Sequence, residues 1–150
     1  MRRHAGFTLV ELMVAIAIVG ALTATALPTY RTYRMRALGS EASLMMRKLL
    51  DAQIIYYLEN NKFFPENDTP VVIFKDDAPT KAEFGQIQNA LKIVIPAGHE
   101  LDYDIRAFPA SADESCTIVI SADYPIYSDG SKQLIGSVTK GGVITIFTAG

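Results

Sequence analysis

The N-terminal part of the chain is a continuous apolar run. From Phe7 to Leu27 the single ionisable residue is Glu11, and the other clearly polar residues are threonines. Roughly 20 apolar residues are long enough to cross a hydrocarbon core as a helix. A charge at the centre of a bilayer costs roughly 3 kcal/mol on insertion scales. Glu11 is therefore the first residue that needs a physical explanation.

After Pro28 the pattern becomes amphipathic. Apolar residues recur at steps of four and three, which places them on one face of a helix: Leu38, Ala42, Met45, Leu49, Ala52 and Tyr56. This stripe predicts a helix that continues to about Glu59 and packs on a sheet, although contacts with other subunits are an alternative. Asn60, Asn61, Lys62 and then Pro65 are helix stop signals.

Beyond residue 65 the pattern changes to short β runs. We expect strands at 71–74, 90–95, 101–108, 117–120 and 143–147, with turns at Asp129-Gly130 and Gly141-Gly142. The strand at 101–108 alternates apolar and polar residues, as half-buried antiparallel strands do. One long helix packed on an antiparallel sheet of about four strands is an α+β fold.

Charge and cysteine content restrict which partners and which disulfides the chain can have. The net charge of −2 gives no broad attraction to nucleic acid, and none is expected as a partner. The single cysteine, Cys116, excludes a disulfide within the chain. Because Cys116 lies in a predicted strand, we expect it to be buried as a small apolar residue. The alternative is a free thiol that pairs with another molecule.

The basic leader Met1-Arg-Arg-His4 leaves two interpretations of the N-terminus open. Positive charge before an apolar segment tends to stay in the cytoplasm, and secretory signal peptides begin in the same way. Ala24-Thr-Ala26 fits a signal-peptide cleavage site. Against secretory cleavage, Glu11 interrupts the apolar region, the run is long for a signal peptide, and a helical pattern continues after Pro28.

The segment Gly6-Phe7-Thr8-Leu9-Val10-Glu11 behind that leader resembles the cleavage and methylation motif of type IV prepilins. The resemblance implies that a prepilin peptidase cuts after Gly6 and methylates the new amino terminus at Phe7. It also implies a pilin-like α+β fold, in which the transmembrane half of the long helix precedes the amphipathic half. Pro28, Tyr30 and Tyr33 lie where typical type IV pilins carry a proline and aromatic residues.

The resemblance also implies a role for the acid. In an assembling filament, Glu11 of one subunit meets the Phe7 amine of the next, and this pairing fixes the axial register. The alternative is a protonated Glu11 that only tolerates the membrane. Between Gly20 and Pro28, two residues that weaken helices, we expect a kink or local melting under packing stress.

These arguments predict three parts of the chain. Residues 1–6 form a leader that is removed on maturation, and 7–29 form the hydrophobic transmembrane and assembly helix. Residues 30–150 form the globular pilin domain. That domain is expected to contain the amphipathic helix half, a connecting αβ loop, and a sheet with the C-terminal region, at 30–60, 61–89 and 90–150.

No catalytic site or cofactor is expected. His99 and Cys116 are isolated residues without a motif around them. Glu100, Asp102 and Asp104 share one side of a predicted strand, but they lack the loop that a Ca²⁺ site uses. Aromatic residues concentrate in and after the helix. Some aromatic-rich pilins have been proposed to carry electrons, but we expect these rings to anchor the helix and fill the core.

The expected function is that of a structural subunit of a type IV pilus filament that serves adhesion or motility. The expected partners are other copies of the chain, the prepilin peptidase, the inner-membrane assembly machinery, and the membrane before assembly. The subunit would reside in the inner membrane as a precursor and at the cell surface in the filament. Alternatives are a minor pilin, a type II secretion pseudopilin, and a soluble secreted protein cut after Ala26.

Overall fold

The computed structural model describes residues 7–67, 69–110 and 113–150. Two compact units divide the chain, one within residues 1–34 and the other at residues 35–150. Helix α1 (Leu9–Asn60) contributes its first part to the N-terminal unit and the remainder to the C-terminal unit. The expected boundary after residue 29 falls five residues earlier than this division.

The described part of the N-terminal unit, residues 7–34, is helical from Leu9 onward and has no core of its own. Every residue from Phe7 to Arg34 is exposed in the single chain. The helix is long and apolar enough to cross a membrane, judged by length and composition. An exposed apolar surface of this extent requires lipid or protein to cover it.

The C-terminal unit contains five antiparallel strands in sequence order, and each strand pairs with its neighbour in the chain. The elements after α1 are β1 (Val71–Ile73), α2 (Ala82–Leu91), β2 (Asp102–Phe108), β3 (Ser115–Ser121), β4 (Gln133–Thr139) and β5 (Ile144–Ala149). The α+β fold expected from the sequence is confirmed.

The core lies between the sheet and the second part of α1. Leu38, Ala42, Met45 and Leu49 are buried, and Ala52 and Tyr56 are partly buried, so the predicted core-facing stripe is confirmed. The inner residues of β2, β3 and β4 alternate along each strand as the pleat requires.

Two glycines let the helix approach the rest of the C-terminal unit. A Cβ at Gly136 in β4 would overlap the side chain of Met46, and a Cβ at Gly39 would overlap the carbonyl oxygen of Ile126. The Gly39 carbonyl also accepts hydrogen bonds from Ser43 Oγ at 2.8 Å and from Tyr127 Oη at 3.3 Å. These contacts tie α1 to the β3–β4 connection.

The amide of Gln53 joins α1 to the segment that follows it. Gln53 is fully buried; its Nε2 donates to the Phe64 carbonyl at 2.7 Å, and its Oε1 accepts from the Phe64 N–H at 3.0 Å. A buried amide that satisfies both backbone groups of one residue acts as a short piece of β ladder. It holds the chain against the helix after α1 ends at Asn60.

Two expectations for the secondary structure need correction. The predicted strand at 90–95 is wrong, because Ala90 and Leu91 end α2 and no strand follows before β2. Lys92 adopts the left-handed conformation that closes a helix, and its N–H donates to the carbonyl of Gln88. The sheet also has five strands rather than about four, since β4 was not predicted. The strands expected at 71–74, 101–108, 117–120 and 143–147 are confirmed within three residues.

Candidate assembly site at the helix N-terminus

Thr8 and Glu11 form a reciprocal cap at the start of α1. Glu11 Oε2 accepts hydrogen bonds from the backbone N–H and from Oγ1 of Thr8, both at 2.9 Å. The Glu11 N–H in turn donates to Thr8 Oγ1 at 3.2 Å. This is the capping box of helix N-termini, in which Ser or Thr and a Glu three residues later satisfy each other's orphan groups.

The capping box explains the position of Glu11 within a single chain. Its carboxylate lies in the first helical turn, where the helix dipole favours negative charge. At a rise of about 1.5 Å per residue, it lies roughly 3 Å along the axis from the helix start at Leu9, so it need not reach the bilayer centre. Oε1 accepts no hydrogen bond from the described residues. One carboxylate oxygen is thus held, and the other is open to a partner.

Phe7 and Gly6 complete the site expected from the sequence. Phe7 precedes the cap and is 79% exposed, so its ring makes little contact within the chain. Gly6 and the rest of the predicted leader, residues 1–6, lie outside the described residues. Thr8 is the site residue that sequence reasoning missed. The signal that could have found it is the spacing Thr-x-x-Glu ahead of an apolar run.

The apolar helix is continuous across Gly20 and Pro28. Pro28 has no N–H to donate to the preceding turn. Threonine hydroxyls on both sides of it donate to backbone carbonyls: Thr25 Oγ1 donates to Leu22 O at 2.9 Å, and Thr32 Oγ1 donates to Pro28 O at 3.1 Å. Such bonds remove the cost of a bare hydroxyl in lipid. Melting between Gly20 and Pro28 in an assembled filament stays a prediction.

The other candidate residues lie apart in the C-terminal unit and serve the fold. Cys116 is fully buried, as expected, and burial raises the pKa of its thiol to about 12. Its Sγ donates to the Phe64 carbonyl at 3.7 Å. His99 is buried as well, and its Nδ1 lies 2.6 Å from the Leu101 carbonyl.

The acidic triplet of the sequence is distributed among separate partners. Asp104 forms an ion pair with Arg106 on the same strand, and Asp102 accepts the backbone N–H of Lys75. Glu100 accepts a hydrogen bond from the Tyr124 hydroxyl. Within residues 7–67, 69–110 and 113–150, no group of three or more His, Cys, Asp or Glu side chains is arranged to hold a metal ion.

An exposed apolar helix followed by an antiparallel α+β unit is the fold that the resemblance to type IV pilins implies. Comparison with known proteins agrees. The prokaryotic N-terminal methylation motif matches residues 1–27. No solved structure matches the chain.

Curated relatives include pilins from three organisms. The chain is 50% identical to a fimbrial protein of Neisseria meningitidis over 102 residues, which is 67% of this chain and 60% of that protein. It is 44% identical to the type IV major pilin protein PilE1 of Neisseria gonorrhoeae over 79 residues, or 53% and 47% of the two chains. A match to the type IV major pilin protein PilA of Myxococcus xanthus is 38% identical over 61 residues, or 41% and 28%.

The chain therefore spans about half the length of the curated relatives it matches. These relatives are named as pilins or fimbrial proteins, and none of these names describes an enzyme. The resemblance to type IV pilins drawn from the sequence is confirmed.

Proposed function

We propose that this chain is the repeating structural subunit of a type IV pilus filament that serves surface adhesion and motility. The observation that carries the proposal is the N-terminal methylation motif at the start of an exposed apolar helix whose only ionisable residue between Phe7 and Leu27 is Glu11. In the membrane, lipid covers this helix before assembly. In the filament, the same surface packs against other copies.

Maturation prepares the N-terminus for assembly. A prepilin peptidase cuts after Gly6 and methylates the amine of Phe7. Cleavage removes Arg2 and Arg3 and no acid, so the net charge of the chain changes from −2 to −4. The new amine carries a positive charge four residues before Glu11. The mature helix then has one acid and one base at the same end.

Assembly pairs these two groups between neighbouring copies. Thr8 holds Oε2 of Glu11, which leaves Oε1 for the Phe7 amine of the next subunit. Opposite charges about 4 Å apart attract each other by on the order of 4 kcal/mol at the effective dielectric of a partly buried site. Breaking a buried pair by removing one partner costs about 3–5 kcal/mol. A misaligned subunit would leave both charges unpaired, so the pair selects one axial register.

The segment between Gly20 and Pro28 is the part of the apolar helix that deforms most easily in the filament. Its backbone already lacks the hydrogen bond that an N–H at Pro28 would make, and Gly20 costs about 1 kcal/mol relative to alanine in a helix. Tight packing of neighbouring helices can therefore melt this segment first. The assembly machinery of the inner membrane would extract the subunit from lipid and add it to the growing filament at the cell surface.

N-terminal mass spectrometry of the mature protein tests the maturation step. We expect a methylated Phe7 as the first residue. A mature start at Leu27 would show instead that the chain is a soluble secreted protein cut after Ala26. An unprocessed Met1 would contradict both interpretations.

The assembly step is tested with Glu11→Ala. We expect normal cleavage after Gly6 and a large loss of sheared surface fibres, because the register-fixing pair is removed. The matched control is Glu59→Ala, an exposed acid near the end of the same helix, which should leave the fibre yield unchanged. Normal fibre yield from Glu11→Ala refutes the pairing. If this chain is only a trace component of the fibres, it is a minor pilin or a secretion pseudopilin.

A further inference from the structure

A surface groove of about 630 Å³ lies in the C-terminal unit, between the last turns of α1, the segment after it, and α2. Its apolar lining comes from Tyr56 on α1, Phe64 and Pro65 after it, and Ala90 on α2. Pockets that bind small molecules have volumes of roughly 300–1,000 Å³ and combine an apolar floor with a few placed polar groups. The groove is shallower and more open to solvent than most such pockets, but its volume lies in this range and its floor is apolar.

The polar groups of the α2 wall are side-chain amides. Gln86 and Asn89 are three residues apart and therefore share one face of the helix. Both side chains are exposed, and neither makes a hydrogen bond to the described residues. Each amide offers two donor hydrogens and one acceptor oxygen. This wall can both donate to and accept from a ligand.

The opposite wall carries a positioned carboxylate. The Tyr56 hydroxyl donates to Glu66 Oε1 at 2.7 Å, and burial together with this carboxylate raises the pKa of Tyr56 to about 12. The Tyr56 ring in turn packs edge-on against Phe64, with centroids 5.9 Å apart. Gln53 fixes the backbone of Phe64 on both sides. The floor and the Glu66 acceptor are thus held in place before any ligand binds.

We propose that this groove binds a neutral carbohydrate, with one pyranose ring seated between Tyr56 and α2. Sugar hydroxyls need both donors and acceptors, which Gln86, Asn89 and Glu66 supply together. The C–H face of a sugar ring is apolar and fits the floor. Among the described lining residues Glu66 is the single charged one, and its Oε2 lies 3.8 Å from the Nζ of Lys62, so the site is close to neutral and favours a neutral ligand over an anion such as a phosphate or an acidic peptide.

The experiment uses the full chain in micelles of a detergent with a zwitterionic headgroup, because sugar-headed detergents would compete. Saturation-transfer difference NMR is recorded with the methyl glycosides of glucose, galactose and N-acetylglucosamine. We expect saturation transfer to the ring protons of at least one of them. The site goes beyond the proposed filament function and needs no polymerisation, so failure to bind is distinguishable from failure to assemble.

Variants locate the binding on the protein. Gln86→Ala combined with Asn89→Ala should weaken binding about tenfold or more, because two sets of ligand hydrogen bonds are lost. Gln88→Ala is the matched control, since Gln88 is an exposed glutamine on the same helix that does not line the groove. Tyr56→Phe keeps the ring but releases Glu66, and should weaken binding to a smaller extent.

Two results would overturn the proposal. One is an absence of saturation transfer from the wild-type chain to all three glycosides. The other is equal affinity in the wild type and in the double variant with both amides removed, which would place any sugar contact elsewhere. Far-ultraviolet circular dichroism of each variant confirms the fold. Alanine at exposed helical positions raises helix propensity, so these variants should fold.

Discussion

Replacing Gln53 with leucine should destabilise the C-terminal unit more than most single substitutions do. The side chain is fully buried and makes both hydrogen bonds to the backbone of Phe64. Leucine is similar in size but can make neither bond. The Phe64 N–H would then be buried without a partner, and its carbonyl would keep only the weak thiol contact from Cys116.

The expected cost follows from these two groups. A buried backbone group left without its partner costs about 1–3 kcal/mol, so Gln53→Leu should lose about 2–4 kcal/mol in the free energy of unfolding. Domains are stable by about 5–15 kcal/mol, so this is a large fraction. For a unit of this size the melting temperature should fall by on the order of 10 °C.

The assay is thermal unfolding of the full chain in micelles, followed by near-ultraviolet circular dichroism of the packed tyrosines. Gln88→Leu is the control, because Gln88 is exposed on α2 and its change should stay within about 0.5 kcal/mol. If Gln53→Leu melts within the same narrow range as the control, the amide is not the clamp described here.

Gln53→Glu gives the same site a pH dependence of known sign. Burial raises the folded-state pKa of the introduced carboxyl above its unfolded value of about 4.3. Protonated, this carboxyl can donate to one Phe64 group and accept from the other. The stability of the variant relative to the wild type should therefore be greatest below about pH 4 and should be lost as the pH rises through the folded-state pKa of this carboxyl. A variant whose stability relative to the wild type rises with pH over this range would contradict the reasoning.

Three further outcomes are expected. Gly39→Ala should lower the free energy of unfolding by about 1–3 kcal/mol, because its Cβ would overlap a carbonyl oxygen of the β3–β4 connection. Gly85→Ala, in open space on α2, should instead raise it by up to about 1 kcal/mol. Thermal unfolding measures both, and equal effects would refute the close approach at Gly39. Thr8→Val should speed amide hydrogen exchange over the first turn of α1, because the capping box with Glu11 stabilises this turn by about 1 kcal/mol. Unchanged exchange would show that the capping box does not hold in micelles. Cys116 should resist iodoacetamide at pH 8 in the folded chain, because it is buried and its pKa is raised to about 12. It should react once the chain is unfolded in urea. Rapid labelling of the folded chain would contradict its burial.

Periodicity was sufficient to predict most of the fold. The long apolar stripe of α1 and the alternating pattern of β2 are strong signals that packing then satisfies. β4 was missed because Gly136 interrupts its apolar alternation. That glycine is present for contact with Met46, which local sequence does not reveal. The run from Ala90 to Ile95 is rich in β-formers, but Phe84, Ile87 and Leu91 at helical spacing are the pattern that the structure follows.

In the candidate sites too, the sequence predicts features that depend on neighbouring residues and misses those that depend on residues distant in the chain. Glu11 was identified from its isolation among apolar residues, whereas Thr8 needed a capping pattern that was overlooked. The two walls of the groove come from Glu66 and from Gln86 on separate elements, and no local pattern in the sequence joins them. Tertiary packing alone brings them together.

The order of the strands has a consequence for how the C-terminal unit is made. Each strand of the meander pairs only with the strand beside it in the chain, and from β2 to β5 the connecting segments are short, so these pairing steps cost little chain entropy. With one cysteine in the sequence, no step waits for thiol oxidation. The C-terminal unit can therefore fold wherever the chain emerges from a membrane, in an oxidising or a reducing compartment alike.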